Sequence, residues 1–337
     1  MSLLTNSDTR VNALPNGTVL SVKNLTTHFF LRNGEFHAVD NVSFEVKHGE
    51  TLAIVGESGA GKSQMIFSML RLLKSPPGKV LTGEVILDGR DVMQMKKSEL
   101  RRVRGKRIAL ILQEPMSSLN PSKTIGRQIQ EAVELHQGMK GDAAKEKTLE
   151  MLKLVRIPVP EKRYYNYPHE LSGGMKQRIM IATALACRPE VLIADEPTCS
   201  LDVTIQAQVM DLLKKLIKEI NTTLILVSHD LGIVAEMADR VAIMYAGEIV
   251  EIADVFDLFE KPLHPYTAGI VGTMADMKKG GEVLQTIPGE PPNLLFPPSG
   301  CRFHPRCPYV EEICMEVTPP DLKEHERLVK CHFPLKY

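Results

Sequence analysis

Two kinds of hydrophobic pattern alternate along this chain. Short, nearly continuous apolar runs occur at Thr51-Leu-Ala-Ile-Val55, Arg107-Ile-Ala-Leu-Ile-Leu112, Glu190-Val-Leu-Ile-Ala-Asp195 and Thr222-Thr-Leu-Ile-Leu-Val-Ser228. Each has strand length and few polar interruptions, which predicts strands buried on both faces. Apolar residues at helical spacing occupy 64–73, 125–155 and 204–220, and another helix closes over 185–189. Alternation over 19–25 and 42–46 predicts antiparallel strands, and 83–89 reads as a short strand ending at a turn. Strand and helix in alternation predict an α/β core with a mainly parallel sheet. Past Lys261 the periodicity fades, and Pro288, Pro291, Pro292, Pro297 and Pro298 mark a small appendix. Residues 1–16 are predicted to be a disordered leader. No internal repeat is visible.

Composition adds exclusions. The 337 residues are 43% hydrophobic and 24% charged, with a formal net charge of zero, the balance of an ordinary globular protein. No basic surplus favours nucleic acid or an anionic membrane surface as a partner. No apolar run reaches the roughly 18 residues of a membrane helix, and the N-terminus lacks a signal-peptide core. A cytoplasmic protein is expected, in which six cysteines do not read as disulfides.

The chemistry starts after the first buried run. Gly56-Glu-Ser-Gly-Ala-Gly-Lys-Ser63 stands between a strand and a helix, the context of a phosphate-binding loop. Its glycines, Gly56, Gly59 and Gly61, let the backbone curl, so that N–H groups along the loop, through Ser58 and Ala60, point at phosphate oxygens. The following helix adds its positive end. Lys62 would neutralise β/γ-phosphate charge, and the Ser63 hydroxyl would bind Mg²⁺. A chance glycine turn is the blander alternative, and the flanking strand and helix argue against it. Further on, the run 191–195 ends in two carboxylates, Asp195 and Glu196. Asp195 would lie near the Mg²⁺ shell and Glu196 near the γ-phosphate, where hydrolysis needs a base. Alone, the pair would equally be surface charge at a strand end.

Leu171-Ser-Gly-Gly-Met-Lys-Gln177 resembles the signature motif of ATP-binding-cassette (ABC) ATPases. Physically, Ser172, Gly173 and Gly174 make a second anion cradle at a helix start, and Ser172 also suits a plain N-cap. The resemblance implies a head-to-tail dimer in which each signature closes the other subunit's ATP site. Other landmarks resemble the family in order and spacing. Gln113 is similar to its Q-loop glutamine, also a Mg²⁺ ligand; Ser200-Leu-Asp202 to its D-loop; His229 to its switch histidine. Phe29, with Phe30 beside it, stands where the family places an adenine-stacking aromatic. Cys199 departs from the usual threonine and alanine of this stretch, with no change in chemistry expected.

The resemblance implies an α/β fold: a P-loop ABC ATPase domain with a RecA-like core, an antiparallel β subdomain and a helical subdomain. Expected boundaries are 17–260 for this domain, with the helical subdomain at about 114–186, and 261–337 for a small irregular C-terminal extension. Gln113-Glu-Pro-Met-Ser-Ser-Leu-Asn-Pro121, His264-Pro-Tyr-Thr267 and Ile287-Pro-Gly-Glu-Pro-Pro292 resemble segments of dipeptide and oligopeptide importers, a family that also serves nickel and other small solutes. The implied protein is an ATPase using Glu196 and His229. Its implied partners are a paralogous ATPase subunit in a head-to-tail heterodimer, two membrane permease subunits and, indirectly, an external solute-binding protein. It would sit peripherally on the cytoplasmic face of the inner membrane. A soluble ABC ATPase of DNA repair or translation is the rival; the single cassette, without a heptad insertion, speaks against it.

Cys301, Cys307, Cys314 and Cys331 close the chain. Zinc sites favour a close C-x₂₋₄-C pair, absent here, whereas longer spacings on irregular loops suit a cubane cluster. Some members of the resembled subfamily look able to hold one. A 4Fe–4S cluster in the extension is therefore the expectation, with zinc and free thiols as the alternatives. His304 and His332 are spare candidate ligands.

Overall fold

The computed structural model describes residues 17–114, 118–199, 201–279, 287–324 and 326–337. The expected leader over 1–16, Ser200, and Pro115, Met116 and Ser117 of the Q-loop segment lie outside the described residues.

A long hairpin opens the fold, β1 (Thr18–Leu31) and β2 (Gly34–Lys47), followed by β3 (Thr51–Val55) and α1 (Lys62–Met69). α1 stops short of its periodic pattern: Arg71 turns left-handed at φ 53° and Leu72 N–H folds back to the Phe67 carbonyl. Next come β4 (Gly78–Leu87), β5 (Arg90–Asp91), α2 (Lys97–Val103) and β6 (Ile108–Ile111). β1, β2, β4 and β5 form one antiparallel sheet in the order β2-β1-β4-β5.

The helical stretch after β6 divides into α3 (Ile125–Gln137) and α4 (Gly141–Leu154). Gly138 and Gly141, both at positive φ, break the pattern that sequence periodicity runs together. α5 (Pro160–Arg163) and α6 (Gly173–Leu185) complete this subdomain, whose core joins Ile129, Val133, Leu152 and Tyr164 to Ile179 and Leu185.

The remaining elements are β7 (Val191–Asp195), α7 (Val203–Ile220), β8 (Thr223–Val227), α8 (Leu231–Met237), β9 (Arg240–Tyr245), β10 (Glu248–Asp254), α9 (Val255–Glu260), α10 (Pro265–Lys279), α11 (Glu312–Glu316), β11 (Asp321–Glu324) and β12 (Arg327–Lys330). The second sheet runs β11-β12-β10-β9-β3-β8-β7-β6. Every residue of β3, β7 and β8 is buried, which is why these strands read as unbroken apolar runs. The C-terminal extension carries more regular structure than its composition signals. β12 pairs antiparallel with β10, Glu251 opposite Val329, so the tail lengthens the main sheet.

Candidate active site

Register builds the site. β3, β8, β7 and β6 are parallel neighbours, with Ile54 opposite Val227, Asp195 opposite Val227 and Ile111 opposite Ala194. Their C-terminal ends therefore fall in one row. The loop after β3, Glu196 after β7, His229 after β8 and Gln113 after β6 emerge along that edge, where open α/β sheets bind ligands.

The loop 56–61 is packed so closely that two of its glycines have no room for a side chain. A Cβ on Gly56 would stand 2.1 Å from the Met244 carbonyl oxygen, and one on Gly61, at φ +102°, 2.2 Å from that of Ala38. Lys62 is buried, and its ammonium donates to the carbonyls of Gly56 (2.7 Å) and Glu57 (3.0 Å). Burial holds its pKa below the usual lysine range, against the pull of Glu196 and Asp195. The buried Asp195 carboxyl is pushed up, chiefly by desolvation, while a hydrogen bond with the Ser63 side chain acts the other way. Hydroxyl and carboxylate oxygens together are the hard donors that suit Mg²⁺.

Glu196 is the junction. Its backbone is left-handed at φ 44° and its N–H continues the ladder to the Val227 carbonyl at 2.9 Å. The side chain is thereby turned out of the strand direction. Gln113 Nε2 donates to Glu196 Oε2 at 2.8 Å, and His229 Nδ1 lies 3.3 Å from Glu196 Oε1. Gln113 Nε2 also reaches Cys199 Sγ, at 3.7 Å.

The second cradle is exposed. Ser172 caps α6, accepting from Met175 N–H at 3.4 Å, and Asp202 caps α7 by accepting from Ile205 N–H at 2.9 Å. The two turns touch: a Cβ on Gly174 would meet Ile205 at 2.6 Å. Phe29 is half-buried, packed against the antiparallel-sheet core and Gly78, whereas Phe30 is exposed.

Two features have no local sequence signal. Arg306, in the extension, forms a two-point ion pair with Glu57, and Tyr266 Oη accepts from Glu57 N–H at 3.1 Å. The residues of each pair lie 249 and 209 positions apart.

The cysteine tail requires a correction. The four thiols line one space of 10 Å³, walled also by Phe303, Tyr309 and Phe333. Burial raises the Cys301 and Cys331 thiols to about 11 and moves Cys307 the same way, the neighbouring thiols adding to it. Among the described residues, the group whose donor atoms all lie within 4.8 Å is His28, Glu35 and His37, and no cysteine belongs to it. The 4Fe–4S expectation is therefore withdrawn, and the zinc alternative with it. The tail is held by β12 pairing, by Phe303 packing on Tyr245 and Tyr266, and by Arg302 and Arg306.

Comparison with known proteins shows which family the chain resembles. The family model "ABC transporter" matches residues 39–199, and "Oligopeptide/dipeptide transporter, C-terminal region" matches 250–314. The chain is 51% identical over 302 residues to a probable peptide ABC transporter ATP-binding protein, y4tR, of Sinorhizobium fredii, covering 89% of this chain and 90% of that one. It is 48% identical to the oligopeptide transport ATP-binding protein OppD of Bacillus subtilis, covering 90% of this chain and 86% of that one. With the dipeptide transport ATP-binding protein DppD of Haemophilus influenzae it shares 47% identity, covering 94% and 96%. Among solved structures, a dimeric post-hydrolysis state of the ATP-binding cassette MJ0796 bound to ADP and Pi matches with a TM-score of 0.62 and 30% identity, over 70% of this chain and 98% of that one.

Proposed function

The chain belongs to the family of ABC-transporter ATP-binding subunits that carry the oligopeptide/dipeptide C-terminal region, and from that premise we propose that it hydrolyses ATP to drive import of peptides through a membrane permease. The observation that carries this reading is the convergence of Gln113 and His229 on Glu196, beside a phosphate loop whose lysine rests on backbone carbonyls.

In this mechanism Lys62 leaves the Gly56 and Glu57 carbonyls for the β/γ-phosphates. The loop N–H groups and the start of α1 hold phosphate oxygens. Ser63 and the Gln113 side-chain oxygen would hold Mg²⁺, with Asp195 beside them, and the ion would offset charge developing on the phosphates. Glu196 accepts a proton from the water that attacks the γ-phosphorus. The new O–P bond forms as the bond to the ADP oxygen breaks. His229 orients Glu196 and the γ-phosphate. Ser172, Gly173 and Gly174 cap the γ-phosphate of a partner ATPase, and Asp202 holds the adjoining turn. Phe29 takes the adenine face once it turns away from Gly78.

The partner ATPase is proposed to be a paralogue, arranged head to tail, with a solute-binding protein delivering peptide to the far side of two permease subunits. The chain would work at the inner face of the membrane; no helix among its described residues is long and apolar enough to cross one. The proposed units are 17–260 for the cassette, with its helical part at about 114–186, and 261–337 for the extension. A groove of 470 Å³, lined by Leu119, Asn120, Lys123, Glu131, His136 and Met180, supports the segment 114–125 as the permease-facing surface. Purification from solubilised membranes tests the reading: permease subunits and ATP-dependent peptide uptake are expected, and nucleic acid in their place would refute it.

A further inference from the structure

Glu57 is the second residue of the phosphate loop, and all its polar groups are engaged. Its carbonyl accepts from Lys62 Nζ at 3.0 Å and Ala60 N–H at 3.1 Å. Its N–H donates to Tyr266 Oη, and its carboxylate accepts from Arg306 Nη1 at 2.9 Å and Nη2 at 3.1 Å. The Arg306 side chain is only 5% exposed, against 29% for Glu57. Its Nε donates to the Pro288 carbonyl at 2.9 Å, and its guanidinium lies over the Tyr245 ring, 5.8 Å from the centroid. Tyr245 and Tyr266 are themselves fully buried. A planar fork held at Nε, Nη1 and Nη2 fixes a carboxylate in distance and in orientation. The arm that reaches the ATP site therefore comes from the extension, out of the Cys301–Cys307 segment, and not from the cassette.

We propose that Arg306 is a positioning residue for ATP hydrolysis: through Glu57 it holds the phosphate loop and the resting place of Lys62, so that the extension sets the catalytic competence of the cassette. This rests on the ATPase reading above. Lys62 exchanges the Gly56 and Glu57 carbonyls for phosphate oxygens, and both carbonyls belong to the segment that Arg306 anchors. Release of Glu57 lets that segment shift, and small displacements of a phosphate cradle lower both affinity and turnover. Arg302, four positions earlier, pairs instead with Asp40 and Glu248. It fastens the same segment to β2 and β10 without touching the loop, so docking and positioning are divided between two arginines.

The test uses the full complex with its permease, comparing wild type, Arg306→Gln, Glu57→Gln and the double variant. Each single change is expected to raise KM for ATP, with a fall in kcat/KM on the order of tenfold to a hundredfold. The double variant is expected to be no worse than the poorer single one, because both act through one contact. A purely structural Arg306 would lower Tm and the active fraction but leave KM for ATP unmoved, and that result overturns the proposal. So do penalties that simply multiply in the double variant. Should Arg306→Gln not fold, Glu57→Gln carries the test alone, since its side chain is the more exposed of the two. An inactive wild-type complex would sink the ATPase reading and this inference with it; an active wild type with unmoved variants would sink this inference only.

Discussion

Gln113 donates its side-chain amide to Glu196 across 2.8 Å, linking the end of β6 to the end of β7. The bond engages one Glu196 oxygen. It ties the residue proposed to sense nucleotide to the carboxylate proposed to take the water's proton. Gln113→Ala is expected to lower kcat of the assembled complex by on the order of a hundredfold, the scale of losing one positioned donor, with ATP affinity changed far less. Peptide uptake should fall in step with hydrolysis. Steady-state kinetics beside ATP-binding titrations would check both parts; an unchanged kcat would remove Gln113 from the site.

Asp195 gives a prediction about stability. Burial raises its carboxyl pKa above the usual value of 3.8. Its stabilising contribution is therefore present below that value and lost as pH rises through the raised one. At neutral pH the ionised side chain is a local cost, which Mg²⁺ held as proposed above would offset. Asp195→Asn should make the nucleotide-free protein more stable at neutral pH and abolish the extra stabilisation that MgATP gives over ATP alone. Thermal unfolding with each ligand reads both effects, and an Asn variant less stable than wild type without ligand would contradict the account.

Gly56 concerns packing alone. With the Met244 carbonyl oxygen 2.1 Å from any Cβ placed there, Gly56→Ala must displace backbone rather than a flexible side chain. A loss of about 1–3 kcal/mol is expected, together with weaker ATP binding. Denaturant unfolding at matched slope would measure it. Gly59→Ala is the comparison: nothing lies within 4 Å of a Cβ there, and only its φ of +82° opposes the change.

Much of this site is legible in the sequence because its parts are local. Strand, loop and helix around Gly56–Ser63, and the carboxylates after 191–195, are contiguous, and the buried parallel strands announce themselves by losing their polar alternation. What places Glu196 between Gln113 and His229 is register between strands, which no single segment encodes. Pairs such as Arg306 with Glu57 are less legible still, since nothing around Arg306 marks its partner 249 positions away. The tail shows the opposite failure. Four cysteines suggest a cluster, yet among the described residues none belongs to a group spaced to hold a metal, while β11 gives no strong pattern because it is exposed throughout.

His264 predicts acid sensitivity in the extension. Complete burial lowers its pKa from 6.5 to about 3. Its Nδ1 accepts from Tyr266 N–H at 3.0 Å, and its own backbone N–H donates to Glu251. A depressed pKa contributes stability that is fully present above 6.5 and is lost as pH falls from there toward about 3. His264→Gln should be less stable at neutral pH and show a shallower decline over that interval. Parallel unfolding curves for the two proteins across the interval would exclude His264 as the source.

Turnover by the Glu196→Gln complex tests the central claim most directly. The substitution keeps the shape and the hydrogen-bonding reach of the side chain but removes the proton acceptor. Single-turnover hydrolysis in the complex with its permease and partner ATPase is expected to slow by about 10²–10⁴-fold, while ATP remains bound and the ATPase subunits stay closed together. Hydrolysis at near wild-type rate, with ATP bound as tightly, would contradict the assignment of Glu196 and the mechanism built on it.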